Sequence, residues 1–237
     1  MSLPALPRIV INMAISADGK IASANRKVNH FSSPADEENL YRLRSTADAI
    51  MNGARTVDSA PVLMDAGPLR FRRSRVKQGL AEHPLRIVIT GTGSLDTNAE
   101  IFKHDFSPIV IVTSRRCPKK RLKQLQQAAD KVIVCDEREV NLKNALRSVN
   151  RCWPVKRVLC EGGGELNDAL FRADLVGDIR LTVCPTVVGG RDAPAISGGL
   201  GLQRLSDARR FELVDRKCVG DELFLHYRRM RLHQRHA

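Results

Sequence analysis

The chain has 237 residues, 43% of them hydrophobic and 27% charged, with a formal charge of +13 at pH 7. A chain of this size and ordinary composition buries enough surface to fold without disulfide or metal support, and no apolar run reaches the roughly 18 residues that a membrane span needs. Pro4 and Pro7 interrupt an N-terminus that lacks the basic start of a signal peptide, so the expected compartment is the cytoplasm.

In chain order, Ile9 to Ile15 is a short β-type run, followed by the polar turn Ser16 to Lys20 with a glycine to relax φ. Ser33-Pro34-Ala35-Asp36 opens a helix: serine as N-cap, proline in the first turn, and an acid completing a capping-box-like start. Asp48 to Gly53 reads as the next strand, and residues 58 to 84, with prolines, glycines and a basic run, as a long connection. Leu85 to Thr90 and Ile109 to Thr113 are nearly all apolar, which suits strands buried on both faces. A helix over Lys119 to Ala129, a strand over Lys131 to Cys135 and a helix over Leu142 to Val149 follow. Arg157 to Cys160 begins another strand, and Glu161-Gly162-Gly163-Gly164-Glu165-Leu166 opens a helix through Phe171. Ile179 to Cys184 is a strand, and Phe211 to Tyr227, turning at Gly220-Asp221, a hairpin. Alternating strands and helices closed by a hairpin predict an α/β fold with a mixed, mostly parallel sheet. One domain is expected, with a core over about 8–229 and a basic tail at 230–237.

Cys135, Cys160 and Cys184 end apolar runs and read as small buried hydrophobes. With no C-x-x-C, no H-E-x-x-H and no Cys/His cluster, no metal site is expected. The basic excess sits in Arg70 to Lys77, Arg115 to Lys123 and Arg228 to Arg235. Such runs fit solvated faces, phosphate-bearing ligands or nucleic acid. No aromatic platform of Trp or Tyr lies among them, which disfavours a single-strand binder.

Three places could carry chemistry. The triplet Gly162 to Gly164 at a strand-to-helix junction would let a backbone approach a diphosphate with free helix N–H groups, or be a plain tight turn. Glu161, at the carboxyl end of a strand, would hydrogen-bond a substrate or else satisfy the helix N-terminus. Thr113-Ser114-Arg115-Arg116 offers the hydroxyls and guanidinium fork that a 2′-phosphate needs, or a solvated helix start.

Together these segments match a known pattern. Met13 to Ala22 (MAISADGKIA), Arg42-Leu43-Arg44 with Ala47 to Ile50, Gly53 to Val57, Leu159 to Leu166 and Val183 to Gly190 fall in order, and the chain resembles the pyrimidine reductases of riboflavin biosynthesis. The resemblance implies a dihydrofolate-reductase-like fold, a homodimer and NADPH, with reduction of 5-amino-6-(5-phosphoribosylamino)uracil by hydride transfer to ribose C1′. It implies Lys20 and Glu161 as catalytic and substrate-lining residues, with Asp18 beside them. It places Gly53, Thr56, Gly162, Gly163 and Gly164 on the cofactor and Thr90 and Ser114 near its adenosine phosphate; Leu166, after the glycines, and Arg115, after Ser114, are the further cofactor-binding candidates.

One stretch departs from the family. After G-x-x-T-V the usual L-A-D-D-P-x-L-T-x-R gives way to Asp58-Ser59-Ala60-Pro61-Val62-Leu63-Met64-Asp65. Asp58 is the candidate substitute for the lost acids, and Arg70 or Arg72 the candidates to reach the substrate from the long connection. The H-x-E…P-C-x-x-C deaminase signature is missing, so the reduction alone is expected. The alternatives are a reductase of another heterocycle, such as a dihydropterin, and, more distantly, a non-catalytic nucleic-acid-binding protein.

Overall fold

A computed structural model describes residues 4–26, 32–59, 61–135, 138–199 and 201–230. Seven parallel strands, β1 (Arg8–Ser16), β2 (Ala49–Gly53), β3 (Leu85–Ile89), β4 (Ile109–Ser114), β5 (Lys131–Cys135), β6 (Arg157–Cys160) and β7 (Val176–Cys184), share one sheet with the hairpin β8 (Phe211–Val219) and β9 (Glu222–Arg229). The order is β5-β4-β3-β2-β6-β1-β7-β9-β8, with β9 antiparallel to β7. The expected mostly parallel sheet with an antiparallel edge is therefore present.

Helices cover both faces, which is why the central strands are apolar throughout. On one face α5 (Leu142–Cys152) and α6 (Gly164–Arg172) set Leu146, Val149, Leu166 and Leu170 against Ile9, Ile11, Met51 and Ile87. On the other, α2 (Ala54–Ser59) and α4 (Lys119–Ala128) bring Val57 and Leu125 to Ile50, Val88 and Ile111. On that second face α1 (Pro34–Arg44) lays Leu43 over Val10 and Leu159. Ser33 caps α1 as predicted, its side chain accepting from the Ala35 N–H. Asp36 of α1 accepts a 2.6 Å hydrogen bond from the Thr182 hydroxyl on β7, so the first turn is also tied to the sheet.

The 58–84 connection requires correction, because it contains α3 (Leu69–Lys77). Its buried members are Phe71 and Arg75, one helical turn apart. The Arg75 guanidinium donates to the carbonyls of Ala81 (2.9 Å), Arg44 (2.5 Å) and Ala47 (2.6 Å). Burial lowers its pKa to about 10, so it stays charged at neutral pH while working as a core residue. A run of arginines carries no apolar stripe, so the helix has no hydrophobic period to reveal it. Beyond residue 230 the basic tail lies outside the described residues.

Strand order sets the location of the site. The chain leaves β1, builds β2 to β5 outward, then returns to insert β6 between β2 and β1. Open α/β sheets bind ligands in the crevice at the carboxyl ends of strands around such a reversal. Here that crevice is bounded by the segments after Ser16, Gly53 and Cys160.

Candidate active site

The segment following β1 is stapled in place. Ser16 N–H donates to the Lys20 carbonyl, and Lys20 N–H to the Ser16 hydroxyl, both at 2.9 Å. Asp18 accepts from the Ser16 hydroxyl at 2.6 Å and from the N–H groups of Val188 (3.1 Å) and Gly189 (2.7 Å). Those donors pull its pKa to about 2. Asp18 is thus a clasp between the loops after β1 and β7, and the geometry gives its carboxylate a structural partner set. Lys20 donates from Nζ to the Ala193 carbonyl at 3.1 Å and pairs by backbone with Ala195.

The 193–198 segment links Lys20 to the glycine turn. Ile21 N–H donates to the Pro194 carbonyl, Gly198 N–H to the Gly164 carbonyl at 3.0 Å, and the Asn167 amide to the Ile196 carbonyl at 2.8 Å. A Cβ on Gly164 would meet the Ala195 oxygen at 2.5 Å, so only glycine lets the strap pass. Gly162 takes φ 100°, and its carbonyl accepts from the Gly53 N–H at 2.9 Å. A Cβ on Gly163 would stand 3.1 Å from the Thr56 hydroxyl. Gly53, Thr56, the three glycines and the buried Leu166 therefore form one cluster. Arg55 pairs with Glu165 in the first turn of α6 at 2.8 Å.

Glu161 is held by a residue the sequence reading missed. Its two carboxylate oxygens accept from Nε and Nη2 of Arg44, each at 2.7 Å. Nη1 of Arg44 donates to the Asp65 carboxylate (3.0 Å) and carbonyl (3.1 Å). The Arg44 and Glu161 side chains keep only 9% and 11% of their surface exposed, and Asp65 keeps 24%. Burial opposes the charge on Arg44, but the two acids outweigh it and raise its pKa. The Tyr41 ring lies 5.6 Å from the guanidinium.

The residues expected as substitutes for the lost family acids and arginine have partners of their own. Asp58 accepts from the Asp96 N–H at 2.9 Å, joining α2 to the loop after β3. Arg70 pairs with Glu38, and Arg72 with Glu82 at 3.0 Å. Asp65 reaches the site instead, from the end of the same departing stretch.

Thr90 and Ser114 close β3 and β4, and both are buried. The Ser114 hydroxyl donates to the Gly91 carbonyl at 2.5 Å and accepts from the Arg116 N–H at 3.2 Å, so it shapes the turn that presents exposed Arg115. Thr90 donates weakly to the Ser94 carbonyl at 3.4 Å. Cys135, Cys160 and Cys184 are buried, and burial drives the Cys160 and Cys184 thiols up to about 12. Among the described residues no group of three His, Cys, Asp or Glu could hold a metal ion, and no helix is long and apolar enough to cross a membrane.

The family described as RibD C-terminal domain matches residues 7–225. Over 221 residues, 93% of this chain and 97% of the relative, the chain is 31% identical to the 2,5-diamino-6-ribosylamino-4(3H)-pyrimidinone 5′-phosphate reductase of Methanothermobacter thermautotrophicus. It is 33% identical over 193 residues to the enzyme of that name from Archaeoglobus fulgidus, covering 81% of this chain and 87% of the relative. A solved pyrimidine reductase-like protein from Corynebacterium diphtheriae shares the fold at TM-score 0.78 and 21% identity, over 95% of this chain and 92% of its own.

Proposed function

The chain belongs to the RibD C-terminal domain family, whose pyrimidine reductases act in riboflavin biosynthesis with a nicotinamide cofactor, and we propose that it uses NADPH to reduce the ribose of a ribosylaminopyrimidine 5′-phosphate at C1′. The observation that supports this most is the convergence of Lys20, Gly53, Thr56 and Glu161 to Gly164 at the ends of β1, β2 and β6. The cofactor supplies the hydride. The glycine turn and the first N–H groups of α6, which have no acceptor within the helix, suit its diphosphate. Arg115, beyond the buried Ser114, is the residue for a 2′-phosphate and hence for NADPH over NADH. The Lys20 ammonium, oriented by the Ala193 carbonyl, offers its remaining protons to a ribose oxygen as the sugar opens. Glu161, fixed by Arg44, presents negative charge where cationic character develops at C1′. The enzyme works in the cytoplasm and as a homodimer under this reading.

Asp65 favours one ring over another. A 2,5-diamino-4(3H)-pyrimidinone, the ring in the names of the two archaeal relatives, shows donors at N3 and the 2-amino group. The 2-position of a uracil is a carbonyl, an acceptor. Two carboxylates around Arg44 complement the donor edge and repel the acceptor. The diaminopyrimidinone is therefore the first substrate, and the aminouracil expected from the resemblance the second.

Titrating the protein with NADPH and NADH by nicotinamide fluorescence, then following NADPH oxidation with each ribotide, tests both steps. NADPH-selective binding and faster turnover of the diamino ribotide are expected. No dinucleotide binding overturns the reductase reading, and preference for the aminouracil overturns the role of Asp65.

A further inference from the structure

A cavity of about 410 Å³ opens between α1 and the hairpin end of the sheet, on the face that α1 covers. Arg42 of α1, Arg157 of β6, Arg180 of β7 and Lys217 of β8 line it, with His226 of β9. It is separate from the reductase centre: Arg157 opens β6, whereas Glu161 follows the far end of that strand. The mechanism uses none of these side chains.

The cations outnumber their counter-charges. Of the two acids in the wall, Glu38 is already paired with Arg70, leaving Asp215. Asp178, beside Arg180 on β7, is occupied by Arg8 at 2.5 and 2.7 Å and by His226 at 2.9 Å. The Nε atoms of Arg157 and Arg180 are buried with no hydrogen-bond partner. Burial lowers the pKa of both guanidiniums, and the charge of Arg157 lowers that of Arg180 further. Both arginines line the cavity, where a bound oxyanion would supply the counter-charge and acceptors that their guanidinium groups lack there. The rest of the wall includes Leu43, Leu181 and Phe224, which an inorganic ion would leave uncovered. The volume lies within the roughly 300–1,000 Å³ of small-molecule sites.

We propose that this cavity is a second ligand site that takes a small organic monophosphate, its phosphate on Arg157 and Arg180 and its apolar body against Leu43 and Phe224. Arg42 and Lys217 complete the positive wall. Leu43 in this wall is followed on α1 by Arg44, whose guanidinium holds Glu161 and is not part of the cavity lining.

Calorimetric titration of the full chain with phenyl phosphate and with inorganic phosphate tests the assignment. Phenyl phosphate should bind more tightly than inorganic phosphate, and Glu161→Gln should leave that binding unchanged. Arg180→Gln should weaken it about tenfold or more, and Lys217→Gln, at an exposed position, about threefold. Because Arg180 is partly buried, Arg157→Lys serves as the conservative second variant should Arg180→Gln fail to fold. Binding indifferent to Arg180, Arg157 and Lys217 overturns the site. Inorganic phosphate binding as tightly as phenyl phosphate overturns the ligand class. Exclusion of both because a second copy of the chain closes the groove, seen as hydrogen-exchange protection of β9 that rises with protein concentration, overturns the proposal in favour of an interface.

Discussion

Arg44 stands between two carboxylates, and its position decides what Glu161 can do. With both Glu161 oxygens on one guanidinium, the carboxylate is oriented next to the glycine turn. Glu161→Gln keeps the shape and removes the charge, while Arg44 retains Asp65. If the carboxylate stabilises positive charge developing at the sugar, kcat falls about 10²-fold, with NADPH affinity within about twofold of wild type because the glycine cluster is untouched. Stopped-flow turnover and a parallel cofactor titration separate the two; an unchanged kcat would leave Glu161 as a prop for Arg44. Glu161 was legible in the sequence because its residue type and its place before three glycines mark it. Arg44 and Asp65 were not, since their pairing spans 21 and 117 residues and arises only when α1 and the 61–66 segment fold over the end of β6. Asp58 drew attention as the nearest acid in the departing stretch, yet Asp65 is the one the chain returns to the site.

The glycine turn, the end of β2 and the 193–198 strap act as one element. The strap makes its hydrogen bonds through its own backbone, so side-chain patterning could reveal the glycines but not the strap that crosses them. The same limit hid α3, where one arginine replaces a hydrophobic stripe by satisfying three carbonyls. Strands β3 and β4, by contrast, were plain from composition, because burial on both faces leaves no room for polar alternation. Gly164→Ala tests the strap. Its Cβ would lie 2.5 Å from a backbone oxygen that no rotamer change can clear, so the strap must shift, at about 1–3 kcal/mol of stability. Because Ala193 and Ala195 also hold Lys20, the shift should reach the ammonium as well as the cofactor turn. The expected variant melts several degrees lower and loses both dinucleotide affinity and turnover. Wild-type behaviour in both would mean that the strap and the turn are independent.

At the scale of the whole molecule, the alternation of strands and helices announced an α/β sheet, but not the insertion of β6 between β1 and β2 that creates the crevice. Strand order is a matter of non-local pairing, and equally apolar strands carry no mark of their neighbours. The other end of the sheet poses a different question. Strand β8 is its outermost strand, and its residues from Glu212 to Cys218 are exposed, including Leu213 at 49% and Val214 at 41%. Apolar residues on an open edge invite another chain, while the charges of Glu212, Asp215, Arg216 and Lys217 restrict which chain can pair there. A second copy related by a twofold axis would meet this patch with the same patch. The homodimer expected from the resemblance would therefore bury Leu213 and Val214, and replacing both by lysine should place like charges across the axis and abolish it. Sedimentation should then show a species of about twice the 26.3 kDa chain mass for wild type and a single chain for the variant. The two residues lie on β8, away from the strand ends that carry Lys20 and Glu161, so the monomeric variant should still bind NADPH. A wild-type chain that sediments alone at micromolar concentration would remove the dimer, and a variant that remains dimeric would move the interface off this edge.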